Sequence, residues 1–264
     1  YDISNPSSIA TTSGIDLGLR ANSIYVSGKY AYVTFGNSFG VIDISDPRTP
    51  RLVFSQDVGG AAPTQAFVSG KYLYLSINSP VADEFRIYDI SNPTNPSLLD
   101  GVEFGAHGIG LYVSGRYAYV VKNNAGVAED FIIYDISNPS SIATTSGIDL
   151  GVHGTKIFVS GRYAYITTDS ISGNDFRIYD VANPASPVLV GGADLGTIGN
   201  GIFISGKRAY IGTATVSGNE FKVFELNGLE TTSAIVHSLE AGNLQVRNDI
   251  IAQGQLQISG GINV

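Results

Sequence analysis

The stretch Tyr112-Val113-Ser114-Gly115-Arg116-Tyr117-Ala118-Tyr119-Val120 decides the fold, because it occurs five times along a chain of 264 residues. The other copies lie at 25–33, 67–75, 158–166 and 203–211, the last with Arg208 where the others have a tyrosine. Each copy is two runs of strand-forming residues separated by Ser-Gly, and glycine accepts the positive φ that a two-residue hairpin requires. Consecutive copies start 42, 45, 46 and 45 residues apart. A period of this length made only of strand signals predicts the blades of a β-propeller.

One complete period predicts four strands, at 109–114, 116–122, 131–137 and 142–149. Asn138-Pro139 ends the third strand, since asparagine closes turns with its side chain and proline cannot continue a ladder. The fourth strand is more polar, which suits the outer edge of a blade. The predicted fold class is therefore all-β, a β-propeller of four-stranded blades. Five inner strands are counted, so the blades either close on themselves or form part of a larger ring.

The predicted domain organisation is a propeller over 1–239 followed by a tail over 240–264. Blades are expected near 19–57, 61–104, 106–150, 152–195 and 197–239. Residues 1–18 are identical to residues 134–151, so they are expected to supply an outer strand, near Ser8–Leu17. The range 233–239 also has the pattern of an outer strand, which leaves one such strand surplus.

A second motif marks the third strand of each repeat. It reads VIDISDP at 41–47, IYDISNP at 87–93 and again at 133–139, and IYDVANP at 178–184. These blocks resemble the LVIVD repeat, a propeller repeat of secreted and surface-attached bacterial and archaeal proteins, and the resemblance covers about residues 1–228. It implies a location outside the cell or on the surface of a prokaryote, and it implies no particular activity. The fifth copy, VFELNG at 223–228, departs from the pattern at Glu225 and Gly228.

The tail consists of short apolar–polar alternations joined by polar or glycine-rich links. It resembles the β-stalks of phage tail-fibre-like and trimeric surface proteins, and a C-terminal linker is the alternative. Too little surface can be buried within it to form a domain alone. We therefore expect the chain to associate with itself through its ends. The residues predicted to take part in assembly are Ile9, Ile15, Leu17, Leu244, Val246, Leu256, Ile258, Ile262 and Val264.

Composition excludes several functional classes. The net charge of −8 argues against nucleic acid or an anionic membrane as a partner. No apolar run reaches the roughly 18 residues of a membrane helix, so no membrane insertion is expected. The chain has no cysteine, which excludes disulfides and thiol chemistry. No nucleotide-binding or nucleophile motif is present, and we expect no cofactor and no catalytic metal.

Residues that vary between repeats within a constant scaffold mark the face where a propeller would place specificity. His107 and His153 occupy equivalent positions before an inner strand, in the sequences FGAHG and LGVHG. Two imidazoles need a further ligand to hold a metal. The equivalent positions of the other repeats supply none, since they are occupied by Arg20, Ala62 and Ile198. The predicted binding-face residues are Arg20, Gln65, His107, His153, Lys156 and Asn200.

Repeated residues are expected to be structural instead. The tyrosines two apart in each copy, such as Tyr117 and Tyr119, share one strand face and are predicted to pack between blades, with a glycan platform as the alternative. Four aspartates of the third strand, Asp43, Asp89, Asp135 and Asp180, are predicted to accept hydrogen bonds from turn amides. The acidic residues that precede this strand are predicted to form a solvated rim. They are Asp83, Glu84, Glu129, Asp130, Asp175 and Glu220.

The functional expectation is a non-catalytic extracellular structural or interaction module that assembles into oligomers or fibres through its terminal strands. One alternative is an adhesin head that binds a surface glycan or protein. The second is a propeller hydrolase or lyase with its site in the axial funnel, which needs convergent acid, base or metal groups.

Overall fold

A computed structural model describes residues 11–79, 83–123, 129–170, 173–214 and 219–226. Its described part contains nineteen β-strands and no α-helix, and none of it is a helix able to cross a bilayer. The strands form five antiparallel sheets, each made of consecutive strands in sequence order. This confirms the all-β fold with a four-stranded unit repeated along the chain.

Each sheet is one blade, and its first strand is the inner strand. Blade 1 contains β1 (Ala21–Ser27), β2 (Tyr30–Phe35), β3 (Ser38–Asp43) and β4 (Arg51–Asp57). Blade 2 contains β5 (Ala62–Ser69), β6 (Tyr72–Asn78), β7 (Phe85–Asp89) and β8 (Ser97–Val102). Blade 3 contains β9 (His107–Ser114), β10 (Tyr117–Asn123), β11 (Phe131–Asp135) and β12 (Ala143–Ile148). Blade 4 contains β13 (Gly154–Ser160), β14 (Tyr163–Thr168), β15 (Phe176–Asp180) and β16 (Val188–Ala193). Blade 5 contains β17 (Gly199–Ser205), β18 (Arg208–Thr213) and β19 (Phe221–Glu225).

The recurring nine-residue stretch forms the hairpin that it predicts. Ser114 pairs with Tyr117, so the two-residue loop is Gly115-Arg116. Gly115 has φ of 58°, and no described non-glycine residue has a positive φ. A glycine at the first of the two loop positions is the requirement of a type II′ turn, whose twist matches that of the strands.

Aromatic rings join successive blades in two series. In the first, the phenylalanine that begins the third strand contacts the aromatic residue of the third strand in the next blade, as Phe85 contacts Tyr134 with ring centroids 5.4 Å apart. In the second, rings of the inner strands follow one another in the order Tyr25, Phe67, Tyr112, Phe158 and Phe203, with centroids 4.8–5.4 Å apart. The core therefore lies between blades, and each blade depends on its neighbours for burial.

The N-terminal segment 11–17 is not a strand in the described structure, which corrects the predicted outer strand near Ser8–Leu17. It still lies where an outer strand of a preceding blade would lie. The Ser13 hydroxyl donates to the Pro47 carbonyl, as the Ser146 hydroxyl of β12 donates to the Pro184 carbonyl in the next blade. Leu17 also packs against the core cluster of blade 1. The segment lacks a ladder because no third strand lies beside it in the described structure.

The repeat array forms a compact unit that continues to Leu226. Residues 1–10 and 227–264 lie outside the described part. The predicted outer strand at 233–239 and most of the proposed assembly residues therefore remain predictions: Ile9, Leu244, Val246, Leu256, Ile258, Ile262 and Val264.

Candidate functional site

The variable residues lie at the crossover face, which we define as the end of the blades where inner strands begin. Here the second strand ends, the third strand starts, and a loop crosses to the next blade. The register makes His107 and His153 equivalent, since His107 pairs with Asn123, and the backbone N–H of Asp169 donates to the His153 carbonyl at 3.0 Å. The two histidines are thus placed at the same level of adjacent blades, as predicted.

His153 forms a close pair with an aspartate that the sequence analysis did not single out. Its Nδ1 lies 2.7 Å from Oδ2 of Asp169, and its backbone N–H donates to Oδ1 of the same residue at 3.1 Å. The side chains of both residues are about two-thirds buried or more. Such a pair orients the imidazole and leaves Nε2 as its second functional atom. The equivalent residue in blade 3 is Asn123, so only His153 has a carboxylate here.

His107 has a different environment. Its Nδ1 is buried and has no hydrogen-bond partner in the described part of the chain. Within that part, no group of three or more histidine, aspartate or glutamate side chains is arranged to hold a metal ion. A metal centre built on the two histidines therefore gains no support.

Gln65 is committed to the fold. Its side-chain amide donates to the Leu111 carbonyl at 2.9 Å and accepts from the Leu111 N–H at 3.2 Å, which ties blade 2 to blade 3. Arg20 and Asn200 are exposed. The side chain of Gln65 therefore joins two blades and is not available to bind a ligand. Only part of the predicted binding face can contact a partner.

Lys156 lies on the inner strand β13, opposite Thr167 of β14, and is half-buried. Burial lowers the pKa of its ammonium. The described residues provide it with no ion pair within 4.0 Å. The equivalent inner-strand residues of the two flanking blades are Gly110 and Gly201. Among these three equivalent positions of blades 3, 4 and 5, Lys156 is therefore the one basic residue.

The predicted solvated rim is wrong for three of its acidic residues. Glu84, Asp130 and Asp175 are fully buried, although Glu129 and Glu220 are exposed. Each buried carboxylate accepts the backbone N–H of a residue in the loop that crosses to the next blade: Phe104 at 2.6 Å, Leu150 at 3.2 Å and Leu195 at 3.1 Å. The physical reason is that a crossing loop buries an amide that no strand can pair.

Cationic side chains of the following blade bind the carbonyls of the same loop residues. Arg177 donates to the Leu150 carbonyl at 2.6 Å, and the Lys222 ammonium binds the Leu195 carbonyl. Arg86 likewise donates to the Val58 carbonyl at 2.9 Å. The boundaries between blades 3 and 4 and between blades 4 and 5 are thus held by an acid of one blade and a cation of the next, as well as by apolar packing.

The aspartates that recur in the third strand and the recurring tyrosines lie as predicted. Asp43, Asp89, Asp135 and Asp180 each accept the backbone N–H of the residue two positions later, at 2.7–3.0 Å. These hydrogen bonds, together with nearby side chains, hold the pKa of each carboxyl below its usual value. The second tyrosine of each pair, such as Tyr119, is buried between blades. Both sets therefore serve the fold.

The repeated antiparallel sheets and their packing define the chain as a β-propeller protein. The LVIVD repeat model matches residues 19–58, 64–103, 108–148 and 153–194, more than half of the sequence. The chain belongs to the LVIVD-repeat family. No curated protein matches it.

Solved structures agree on the fold. A functionally unknown protein from Desulfotomaculum acetoxidans DSM 771 has a TM-score of 0.63 and 16% identity over 81% of this chain and 68% of its own. A protein from Bacteroides uniformis ATCC 8492 with the provisional name 6-phosphogluconolactonase has a TM-score of 0.61 and 14% identity, over 78% of this chain and 67% of its own. The computationally designed Ika8 protein has a TM-score of 0.58 and 11% identity. This chain spans 58% of the length of Ika8.

Proposed function

We propose that this LVIVD-repeat protein is a non-catalytic structural module, located outside the cell, that associates head to tail with further copies of itself. At each internal boundary, an apolar face of one blade packs against an apolar face of the next, and both are buried. The observation that carries the proposal is that blade 1 and blade 5 each leave one of these two faces exposed. The location rests on the family resemblance. The self-association rests on the following comparison of equivalent residues.

The outward face of blade 1 is apolar and exposed. Ile24 and Val26 of β1 are 64% and 54% exposed. Their equivalents in the next three blades are buried against the preceding blade: Ala66 and Val68, Leu111 and Val113, Ile157 and Val159. In the internal blades, the inner strand uses this surface to cover the preceding blade. In blade 1 the same surface is exposed.

The outward face of blade 5 is the counterpart. Phe221 and Val223 of β19 are 64% and 47% exposed, and Phe203 of β17 is 58% exposed. In blades 1–3 the equivalents of Phe221 and Val223 are fully buried beneath the next blade: Phe39 and Val41, Phe85 and Ile87, Phe131 and Ile133. In blades 1–3 this face is covered by the following blade. In blade 5 no further blade covers it in the described structure.

A second copy of the chain fits these faces because it carries the matching residues in the matching register. Ile24 and Val26 of that copy would cover Phe221 and Val223, and its Tyr25 would continue the ring series beyond Phe203. Full burial stabilises by about 1.5–3 kcal/mol per large apolar side chain, so five such residues supply a substantial driving force. A head-to-tail contact that does not close generates a filament.

The N-terminal segment, which is not a strand in the described structure, lies where it would extend the same contact. Residues 11–17 occupy the outer-strand place of a blade that would precede blade 1, and blade 5 has three strands in the described part of the chain. In a head-to-tail assembly, Ile15 and Leu17 of one copy would lie beside the open edge of β19 in the next. An unpaired strand edge readily accepts a further strand.

Sedimentation velocity over a range of protein concentrations tests the proposal. We expect oligomers that dissociate on dilution, and we expect Val223→Asp to give a monomer at every concentration. Leu98→Asp is the matched control, since Leu98 is an exposed leucine on the outer strand of an internal blade, and it should associate like the parent protein. A parent protein that stays monomeric would contradict the proposal.

A second candidate, a propeller hydrolase, is favoured by the pairing of His153 with Asp169. An oriented imidazole can act as a general base towards water. The 6-phosphogluconolactonase name of one structural neighbour makes sugar lactones the first substrates to assay. Hydrolysis that is lost in His153→Ala and retained in His107→Ala would support this candidate, and equal rates in all three proteins would reject it.

A further inference from the structure

One residue of each inner strand bulges out of the ladder near the crossover face, and polar bulge residues join successive blades. The polar ones are Asn22, Thr64, Thr155 and Asn200. Three of them donate a side-chain hydrogen bond to the next blade: Asn22 to the Pro63 carbonyl at 3.3 Å, Thr64 to the Gly108 carbonyl at 2.8 Å, and Thr155 to the Gly199 carbonyl. In each case the acceptor is the residue just before the bulge of the following blade.

Asn200 is the last donor of this series. Its side chain is exposed, and no following blade lies beside it in the described structure. The residue just before the first bulge is Ala21, which is exposed as well and has no preceding blade beside it in the same part of the chain. Since Asn22 makes this bond inside the array, an asparagine at the bulge is able to form it. The last donor and the first acceptor therefore lie at opposite ends of the array.

A second series of hydrogen bonds joins each buried acid to the loop that crosses to the next blade. The backbone N–H of Asp130 donates to the Ile148 carbonyl at 2.9 Å, and its carboxylate accepts the Leu150 N–H at 3.2 Å. Glu84 repeats both bonds one blade earlier, at 3.0 and 2.6 Å. The acid is thus held to residues eighteen and twenty positions later in the sequence.

Glu220 occupies the place of this acid in blade 5. Its carbonyl accepts the Thr213 N–H at 2.8 Å, which is the register found at the internal boundaries, yet its side chain is exposed. At three internal boundaries the apolar loop residue is followed by a glycine with φ of 63–67°. At that interval after Glu220 the sequence has Glu240 and Ala241 instead. Because alanine disfavours a positive φ, the continuation of the chain lacks the sequence of this turn.

The missing turn is present at the other end of the array. Asp16-Leu17-Gly18 has the sequence of a crossing turn and also its conformation, since Gly18 has φ of 70° and donates its N–H to Asp16 Oδ1 at 2.8 Å. The segment 1–18 is identical to 134–151, so Leu17 is the equivalent of Leu150. No blade with an acid precedes this turn in the described structure.

We propose that two polar contacts set the register of the head-to-tail association. The Asn200 side chain donates to the Ala21 carbonyl of a second copy, and the Glu220 carboxylate accepts the Leu17 N–H of that copy. The inference rests on the proposed self-association and identifies the groups that make it specific. A polar group that is buried without a partner is costly, so an apolar surface that covered blade 5 without these groups would be disfavoured. A second copy supplies both groups at the required places.

Sedimentation velocity of matched variants tests the proposal. Asn200→Thr keeps a donor of the kind that Thr64 and Thr155 supply, and Glu220→Asp keeps a carboxylate like that of Asp130, so both should associate like the parent protein. Asn200→Val, which has the shape of threonine without the hydroxyl, should raise the Kd by about 3–10-fold. Glu220→Ala should raise it by about tenfold or more, because a hydrogen bond to a charged group contributes more than a neutral one. The Tm of the dilute monomer should be the same in all of them, since Asn200 and Glu220 are exposed.

Three outcomes would contradict the proposal in different ways. If Asn200→Val and Glu220→Ala associate as tightly as the parent protein while Val223→Asp does not associate, the polar register is wrong and the apolar contact stands. A parent protein that stays monomeric, with a Tm unaffected by Glu220→Ala, would contradict the self-association itself. A monomeric parent protein whose Tm is lowered by Glu220→Ala would show that the same chain supplies the partner of Glu220, and would overturn the second copy as that partner.

Discussion

Phe203 packs edge-on against Phe158, with ring centroids 5.4 Å apart and planes 73° apart, yet most of its surface is open to solvent. Phe158 itself has a second aromatic neighbour, Tyr112, at 4.8 Å. Phe203 is thus the last ring of a series that begins at Tyr25. The internal blades are packed against neighbours on both sides, whereas blade 1 and blade 5 each leave an apolar face exposed. This exposure is the basis of the proposed assembly.

The first prediction compares an internal ring with its terminal equivalent. Phe131→Ala should lower the free energy of unfolding by about 3–5 kcal/mol, because it leaves a cavity between blades 3 and 4. Phe221→Ala, at the same place in blade 5, should cost less than about 1 kcal/mol in the monomer, because Phe221 is exposed. Urea denaturation at low protein concentration measures both. Equal losses would mean that blade 5 is covered in solution.

The second prediction concerns close approach between blades. A Cβ atom at Gly154 would lie 2.6 Å from the Cβ of Val121 in the preceding blade, whereas one at Gly201 would have no atom within 4 Å. Gly154→Ala should therefore destabilise the fold by about 1–3 kcal/mol. Gly201→Ala should change stability by less than about 0.5 kcal/mol. Chemical denaturation of the two variants distinguishes steric contact from a general effect of losing glycine.

The third prediction is a rise in stability on mild acidification. The pKa of Asp130 is raised by burial above that of an unfolded chain, so the folded state binds more protons in the window between the two values. Stability therefore falls as the pH rises through about 6. The Tm should be higher at pH 5 than at pH 7.5, and Asp130→Asn should reduce that difference. No change in the difference would refute the assignment to Asp130.

Below about pH 4 the trend should reverse. The carboxyls of Asp43, Asp89, Asp135 and Asp180 have lowered pKa values, so their stabilising contribution is present above the unfolded value and is lost on further acidification. A Tm that continues to rise down to pH 3 would show that these turn hydrogen bonds do not favour the ionised form. The profile should therefore have a maximum near pH 5.

The hairpins and the blade period could be predicted from the sequence because both depend on local chemistry. Gly115 and its equivalents adopt a positive φ that other residues avoid, and the alternation around them is typical of strands. The sequence of the N-terminal segment predicts a strand that residues 11–17 do not form, since pairing in a sheet needs a neighbouring strand and not only a suitable sequence. Ser13 makes its contact with the next blade without being part of a ladder.

The burial of Asp130 and of its equivalents in other blades could not be predicted from the local sequence pattern. Asp130 precedes a strand and follows a polar loop, which is the usual setting of an exposed carboxylate. Its burial is decided by the unpaired N–H of Leu150, twenty residues away on the crossing loop. The same twenty-residue interval separates Asp175 from Leu195, so the recurrence of an acid and an apolar residue at that interval was the available signal. His153 and Asp169 meet because strands pair in register, which composition does not reveal.

The most direct test of head-to-tail association is to mix two variants, each blocked at one end. Val26→Asp places a charge on the blade 1 face and leaves blade 5 intact, and Val223→Asp does the reverse. Each variant alone should be a monomer, since one of the two complementary faces is missing from every molecule. An equimolar mixture should give a complex of one copy of each by sedimentation velocity, because the intact blade 5 of the first then meets the intact blade 1 of the second. A mixture that stays monomeric while the parent protein associates would contradict the account.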